Sequence, residues 1–167
     1  MNLPAPPFDA AIIALLPRLR RFARAVTRNR EDADDLVQVT LERAWLHRGQ
    51  WVAGSRLDSW LFRILKNAWI DEVRGRVRRQ RLFAPEEEGE QVGDASSEAQ
   101  LQRLAVQKAV SLLNEDQRLA VALVLVDGLP YKDAAEVLEI PIGTLMSRLA
   151  RGRAALQVLL ADDARTK

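Results

Sequence analysis

Cysteine is absent from the 167-residue chain and histidine occurs once, at His47. Without thiols there is no disulfide framework, no thiolate zinc site and no thiol nucleophile, and a single imidazole cannot build a multi-histidine metal cluster. No metal and no cofactor is therefore expected. Neither a serine-histidine-acid set nor a glycine-rich phosphate loop is present, which makes an enzyme the weakest functional class. No stretch approaches the roughly 18 consecutive apolar residues that a membrane span needs. The opening Met1-Asn2-Leu3-Pro4-Ala5-Pro6-Pro7-Phe8 lacks the basic segment and apolar run of an export signal. A cytoplasmic protein without membrane insertion is expected. Strand-like alternation and repeats of 20 to 50 residues are also missing.

What is present suits a folded chain. Hydrophobic residues make up 48% and charged residues 29%, a balance that supplies a core, unlike that of a disordered chain. The net charge of +2 conceals an asymmetry: residues 1–83 carry 16 Lys/Arg against 9 Asp/Glu, residues 84–100 carry six acids and no base, and residues 101–167 carry 9 against 8. Five arginines, Arg74, Arg76, Arg78, Arg79 and Arg81, fall within eight residues. Such a run is either a solvated face or an electrostatic footprint for a polyanion, and spacing alone leaves both open.

The segment from Ala84 to Ser97 gathers acid, glycine and proline with one branched apolar residue and no aromatic. It cannot bury surface and reads as a flexible acidic linker. Its acids suit solubility, or screening of the basic surface before it. On both sides the apolar period is helical. Ile12, Leu15, Leu16, Leu19, Phe22 and Val26 form one stripe; Asn29 is placed to cap a second helix with Ala33, Leu36, Val37, Thr40 and Ala44 inward. After a loop at Gly54 and Ser55, a long helix from Leu57 to about Arg79 turns Trp60, Leu61, Ile64, Leu65, Ala68 and Val73 inward. Beyond the linker a helix ends before Asn114, which is placed to cap the next with Gln117 at the capping-box position. The run Ala120 to Val126 is buried, and Gly128 closes it. The fold class is therefore all-α: two helical domains, 1–83 and 101–167, joined by the linker 84–100.

The last part, Tyr131 to Leu138, a break at Glu139-Ile140-Pro141, and Ile142 to about Leu160, has the proportions of a helix-turn-helix. Ala134 is small where two helices must cross, and Leu138, Ile142, Leu145 and Leu149 hold the second helix to the first. Thr144, Ser147, Arg148 and Arg151 occupy its other face. A helix entering a major groove needs this division, since short polar residues and arginines near its start can reach phosphates and base edges. The plainer reading is a helical hairpin with an incidental arginine face.

The residues Ile140-Pro141-Ile142-Gly143-Thr144-Leu145-Met146-Ser147-Arg148-Leu149-Ala150-Arg151-Gly152-Arg153 closely resemble the region 4 signature of extracytoplasmic-function (ECF) sigma factors, of the sigma-70 superfamily. Asp32 to Leu41 is similar to region 2.2 of that family, and Trp60 to Arg74 to its regions 2.3 and 2.4. Val39 stands where the family often has an acid, Leu41 where it often has phenylalanine, and Asn114 where a proline is usual. The resemblance implies a factor that binds core RNA polymerase, directs it to promoter DNA with a -10 and a -35 element, and is held in check by an anti-sigma factor.

Residue by residue, the resemblance makes Asp34, Asp35 and Gln38 the polymerase-binding set. It makes Ser55 and Arg56, in the loop Ala53 to Ser59, and Asn67, Asp71, Arg74 and Arg78 the -10 set. Thr144, Met146, Ser147, Arg148, Arg151 and Arg153 become the -35 set. Asn67, Asp71 and Arg74 share a helix face by spacing. Trp60 reads as core, and for Trp69 packing outweighs DNA contact, as it does for most aromatics at helical spacing. Two other classes are carried alongside: a decoy that only binds an anti-sigma factor, expected to lose Asn67, Arg148 and Arg151, and a conventional helix-turn-helix regulator, which leaves the first 83 residues without a role.

Overall fold

The computed structural model describes residues 7–27, 29–82 and 97–166; the acidic stretch expected to be a flexible linker lies, up to residue 96, outside them. Among the described residues there are seven α-helices and no strand. Helix α1 spans Phe8–Val26 and buries Ile12, Leu19, Phe22, Ala23 and Val26. Its Pro17, which cannot donate a backbone hydrogen bond, lies on the exposed side, where water can satisfy the freed carbonyl. Thr27 ends the helix by donating both its N–H and its hydroxyl to Ala23 O. Helix α2, Arg30–Leu46, begins as expected with Asn29 Oδ1 accepting from Asp32 N at 2.7 Å. A 3₁₀ turn at Arg48–Gln50 leads to the loop before α3, Leu57–Leu82.

The second half consists of α4 (Glu98–Ser111), α5 (Glu115–Val121), α6 (Tyr131–Leu138) and α7 (Ile142–Arg165). Helix α4 starts inside the segment 84–100 that composition assigned to the linker. The reason is local: Ser97 Oγ accepts from Gln100 N at 3.3 Å, and Ser97-Glu98-Ala99-Gln100 is a capping pattern. Asn114 caps α5 through Gln117 N at 2.9 Å. A π-helical turn, Ala122–Val126, continues α5 and ends at Gly128, whose φ of 81° is a conformation open to glycine; Leu129 N there donates to Leu123 O.

Helices α1 to α3 pack as a bundle, and α4 to α7 as a second group in which α7 lies across α5. A Cβ at Gly152 would stand 2.8 Å from Val121 Cγ2, so only glycine permits that crossing. The apolar core does not stop at the division between the groups. Leu61, Phe62 and Leu65 of α3 belong to one continuous cluster with Leu123, Leu129, Ala134 and Val137, each large buried side chain contributing about 1.5–3 kcal/mol. The first group thus rests on the second through α3 against α6 and α1 against the π turn.

Candidate nucleic-acid interface

Helix α2 turns its buried stripe toward α1 and α3 and leaves Asp34, Asp35, Gln38 and Val39 on an exposed face. Asp32 does not belong to that face: its carboxylate accepts from Arg76 at 2.6 Å and from Asn29 Nδ2 at 3.0 Å. A groove of about 400 Å³ runs between α2 and α3, with Asp35, Val39, Arg43 and Asp71 along it.

The arginine run divides by helical phase. Arg76 donates to Asp32 and Glu72, and Arg79 to Glu72, so these two hold α3 together and tie it to α2. Arg74, Arg78 and Arg81, at i, i+4 and i+7, lie exposed on another face. Asn67 and Asp71 are exposed there as well, Asp71 accepting from Arg43 at 2.9 Å. Asp71, Arg74 and Arg78 line a shallow concavity with Val73 and Val77. Trp69 is 4% exposed, and its indole N–H donates to Glu115 of α5. It packs the two helical groups together and is not available to a base. Trp60 is half-buried, edge-on to Phe8.

In the loop before α3, Gly54 takes φ 89°, and Ser55 Oγ donates to Val52 O at 2.7 Å. Arg56 is held by Asp58 through Nε at 3.1 Å and Nη2 at 2.8 Å, and Arg56 also donates to Asp133 of α6. Asp58 receives a further bond from Arg18 at 2.9 Å. Burial alone would push the Asp58 carboxyl up; the bonds from Arg56, Arg18 and the Ser59 N–H outweigh it and hold the group below the ordinary carboxylate range. The hydrogen bonds that Arg18 donates to the Asp127 carboxylate raise its guanidinium above the ordinary value, against its partial burial.

On α7, Leu145 and Leu149 face inward while Thr144, Met146, Ser147 and Arg151 are exposed. Ser147 Oγ donates to Gly143 O at 3.1 Å, the backward bond that serine makes within a helix. Arg148 is turned toward α5, 24% exposed and 3.3 Å from Asp116. Arg153 reaches the Tyr131 hydroxyl at 3.3 Å. Thr144, Ser147 and Arg151, spaced three and four apart, form the open stripe. Sequence reasoning passed over the cations that join the two groups, Arg18, Lys66 and Arg118; each sits singly in an apolar helix face and carries no local signal. Gly152, a glycine inside a helix, did carry one.

Comparison with known proteins agrees with this geometry. A model of the sigma2 domain of PhyR matches residues 12–66, and one of sigma-70 region 4 matches residues 103–156. The chain is 36% identical over 156 residues to the ECF RNA polymerase sigma factor EcfG of Rhodopseudomonas palustris, covering 91% of this chain and 84% of that protein. It is 37% identical over 145 residues to the ECF RNA polymerase sigma factor SigM of Mycobacterium tuberculosis, covering 86% and 71%. Among solved structures, the sigma factor RpoE in complex with the anti-sigma factor NepR from Bartonella quintana superposes with a TM-score of 0.77 at 35% identity, over 92% of this chain and 96% of that one. CnrH in complex with the cytosolic domain of CnrY gives 0.71 at 25% identity, over 93% and 88%. Two helical groups, one presenting an arginine-lined helix and the other a helix-turn-helix, are the architecture of a sigma-type initiation factor. The chain belongs to the ECF RNA polymerase sigma factors, and it directs transcription initiation.

Proposed function

We propose that the exposed face of α2, through Asp34, Asp35 and Gln38, docks on core RNA polymerase; that the loop around Ser55 and Arg56 with Asn67, Asp71, Arg74 and Arg78 of α3 holds the opened -10 strand; and that α7 reads the -35 element. The observation that carries this reading is the open stripe of Thr144, Ser147 and Arg151 on a helix anchored from its other side by Leu145, Leu149 and Gly152. Short donors and an arginine on the first turns of such a helix fit base edges and phosphates. Met146, Arg148 and Arg153 flank the stripe. On this reading residues 1–83, which hold α1 to α3, and residues 101–167, which hold α5 to α7 and all but the first turn of α4, are the two functional domains, with 84–100 between them. The polymerase performs the chemistry and this chain has no catalytic site. It works in the cytoplasm, where polymerase and DNA are; none of its described helices is long and apolar enough to cross a membrane. An anti-sigma protein is its regulator, as NepR is the partner named for RpoE. Asn67 acts after strand separation, because a contact to an extruded base forms only then.

Reconstitution with sigma-free core polymerase on genomic promoter fragments tests this. Specific initiation is expected, and replacing Asp35 and Gln38 together with alanine weakens polymerase binding at least fivefold while the denaturation midpoint stays put. No initiation from any fragment would remove the reading, and a lowered midpoint with unchanged affinity would make the α2 pair structural.

A further inference from the structure

On the α3 face that carries Asn67, Arg74 and Arg78, one residue has the wrong charge for a polyanion. Asp71 stands between them, one turn after Asn67 and just under one turn before Arg74, and its side chain is 57% exposed. A carboxylate facing phosphates is repelled unless its charge is offset and its oxygens find donors. The offset comes from α2, where Arg43 Nη1 donates to Asp71 Oδ2 at 2.9 Å. Arg43 makes no other ion pair among the described residues, and Asp71 Oδ1 has no partner among them. The pair thus leaves one carboxylate oxygen aimed and open beside two arginines.

That oxygen can only accept. The sugar-phosphate backbone of DNA offers acceptors alone, so any strand atom that bonds Oδ1 belongs to a base. The four bases divide in two here: cytosine and adenine carry an amine at C4 or C6, whereas thymine and guanine carry an oxygen. The amine donates to a carboxylate; the oxygen meets it as a second acceptor and is repelled. Arg74 and Arg78, three and seven positions on, supply donors where the ring nitrogen next to the amine accepts in both cytosine and adenine. Val77, 44% exposed in the same shallow concavity, offers apolar surface to the ring. Arginines alone would favour guanine, whose O6 and N7 both accept. A carboxylate at the head of the arginine pair reverses that preference.

We propose that Asp71 is a specificity-determining residue for the -10 strand, selecting at one position a base with an amine at C4 or C6, cytosine or adenine, over thymine or guanine. Arg43 is its positioning residue, holding the carboxylate without touching the base. The proposal rests on the reading of α3 as the -10 surface.

Complexes of core polymerase, this chain and promoters already opened across the -10 element test it, with amino and keto bases exchanged one position at a time. One position is expected where a keto base weakens binding about tenfold, and Asp71→Ala is expected to abolish the preference there and nowhere else. At that position, deleting only the amine, with 2-pyrimidinone for cytosine or purine for adenine, should weaken binding by the unaltered chain and leave binding by Asp71→Ala unchanged. Asp71→Asn, whose amide both donates and accepts, should hold amino and keto bases about equally. Each figure is a ratio between two strands on one protein preparation, so partial unfolding of a variant cancels. Arg43→Ala should shrink the preference and Arg43→Lys, which keeps the charge, should restore most of it; equal losses would overturn the positioning role. Discrimination left unchanged at every position by Asp71→Ala would overturn the proposal. If Arg74→Ala with Arg78→Ala binds the opened strand as tightly as the unaltered chain, it is the reading of α3 as the -10 surface that fails.

Discussion

Helices α3 and α7 are both long, both amphipathic and both arginine-bearing, yet they meet the rest of the molecule differently. In the N-terminal half of α3 and its loop, Arg56 and Lys66 are occupied by acids from α6 and its C-terminal turn. On α7, Thr144, Ser147 and Arg151 face outward, while Arg148 is tied back to Asp116 of α5 and Arg153 to Tyr131 of α6. A polar face on a helix wheel is thus a statement about that helix alone. Whether the face meets solvent, an ion pair or a partner is decided by what the tertiary structure lays against it.

The largest expected effect breaks the α3 side of this comparison at its base. Arg18→Ala leaves the Asp127 carboxylate without its principal partner in a site with no exposed surface, and loss of one member of a buried pair costs about 3–5 kcal/mol. Because Arg18 is itself 30% exposed and Arg21 stands near, the lower end is expected, read as a fall in the urea midpoint; a change below about 0.5 kcal/mol would mean that the tie contributes nothing. Gly152→Ala comes next. Its new methyl would stand 2.8 Å from Val121, and overpacking of this kind costs about 1–3 kcal/mol. Destabilisation should be accompanied by weaker -35 binding, since the crossing sets the pose of α7; an unchanged midpoint would show that Val121 yields freely.

The α7 side is sharpened by comparing arginines. Arg151→Ala is expected to weaken binding of a -35 duplex by about 1–2 kcal/mol, and Arg148→Ala by less, because Asp116 already engages its guanidinium. A salt series separates the roles: loss of a phosphate contact flattens the slope of log affinity against log salt by about one unit, whereas loss of a base contact erases preference over a scrambled duplex. Equal losses would place Arg148 in the groove with Arg151. The smallest effect is one of pH. Asp58 is held below the ordinary carboxylate range in the folded chain, so its contribution is complete above that range and disappears as pH falls through the lowered value. Stability should be flat near neutrality as far as this group is concerned and decline below about pH 4, and Asp58→Asn should make that decline shallower. An unaltered acid limb would contradict the role given to Asp58.

The helices themselves were legible in the sequence because each rule that marks one acts within a few residues. Asn29 and Asn114 cap where their side chains predict, Gly128 closes its turn, and the stripes of α1 and α2 bury the residues that recur at three and four. Boundaries were less exact: α3 runs to Leu82 and α7 to Arg165, past the points where periodicity faded, and α4 starts at Glu98 because Ser97 can cap it. The Arg74–Arg81 run looked uniform but is two faces, since Arg76 and Arg79 meet Glu72 one and two turns back on α3 itself, and Arg76 also meets Asp32 of α2, a partner that periodicity within one helix cannot supply. Trp69, Asp127 and Arg118 were the least legible. Each takes its role from a residue more than 40 positions away, Glu115, Arg18 and the Val26 carbonyl respectively, and no local pattern encodes such a pairing.

One measurement reaches the centre of the account, that a single chain reads two separated promoter elements with α3 and α7. Dyes placed at the exposed positions Val77 and Val158, each replaced by cysteine, report the distance between those helices by single-molecule energy transfer. In the free chain high transfer is expected, consistent with a body about 40 Å across. In the complex with core polymerase and a promoter, transfer should fall to the level of a separation beyond about 60 Å, as elements about 85 Å apart along the duplex demand. The same efficiency in both states would contradict the account, because a chain that stays compact cannot place α3 and α7 on both elements.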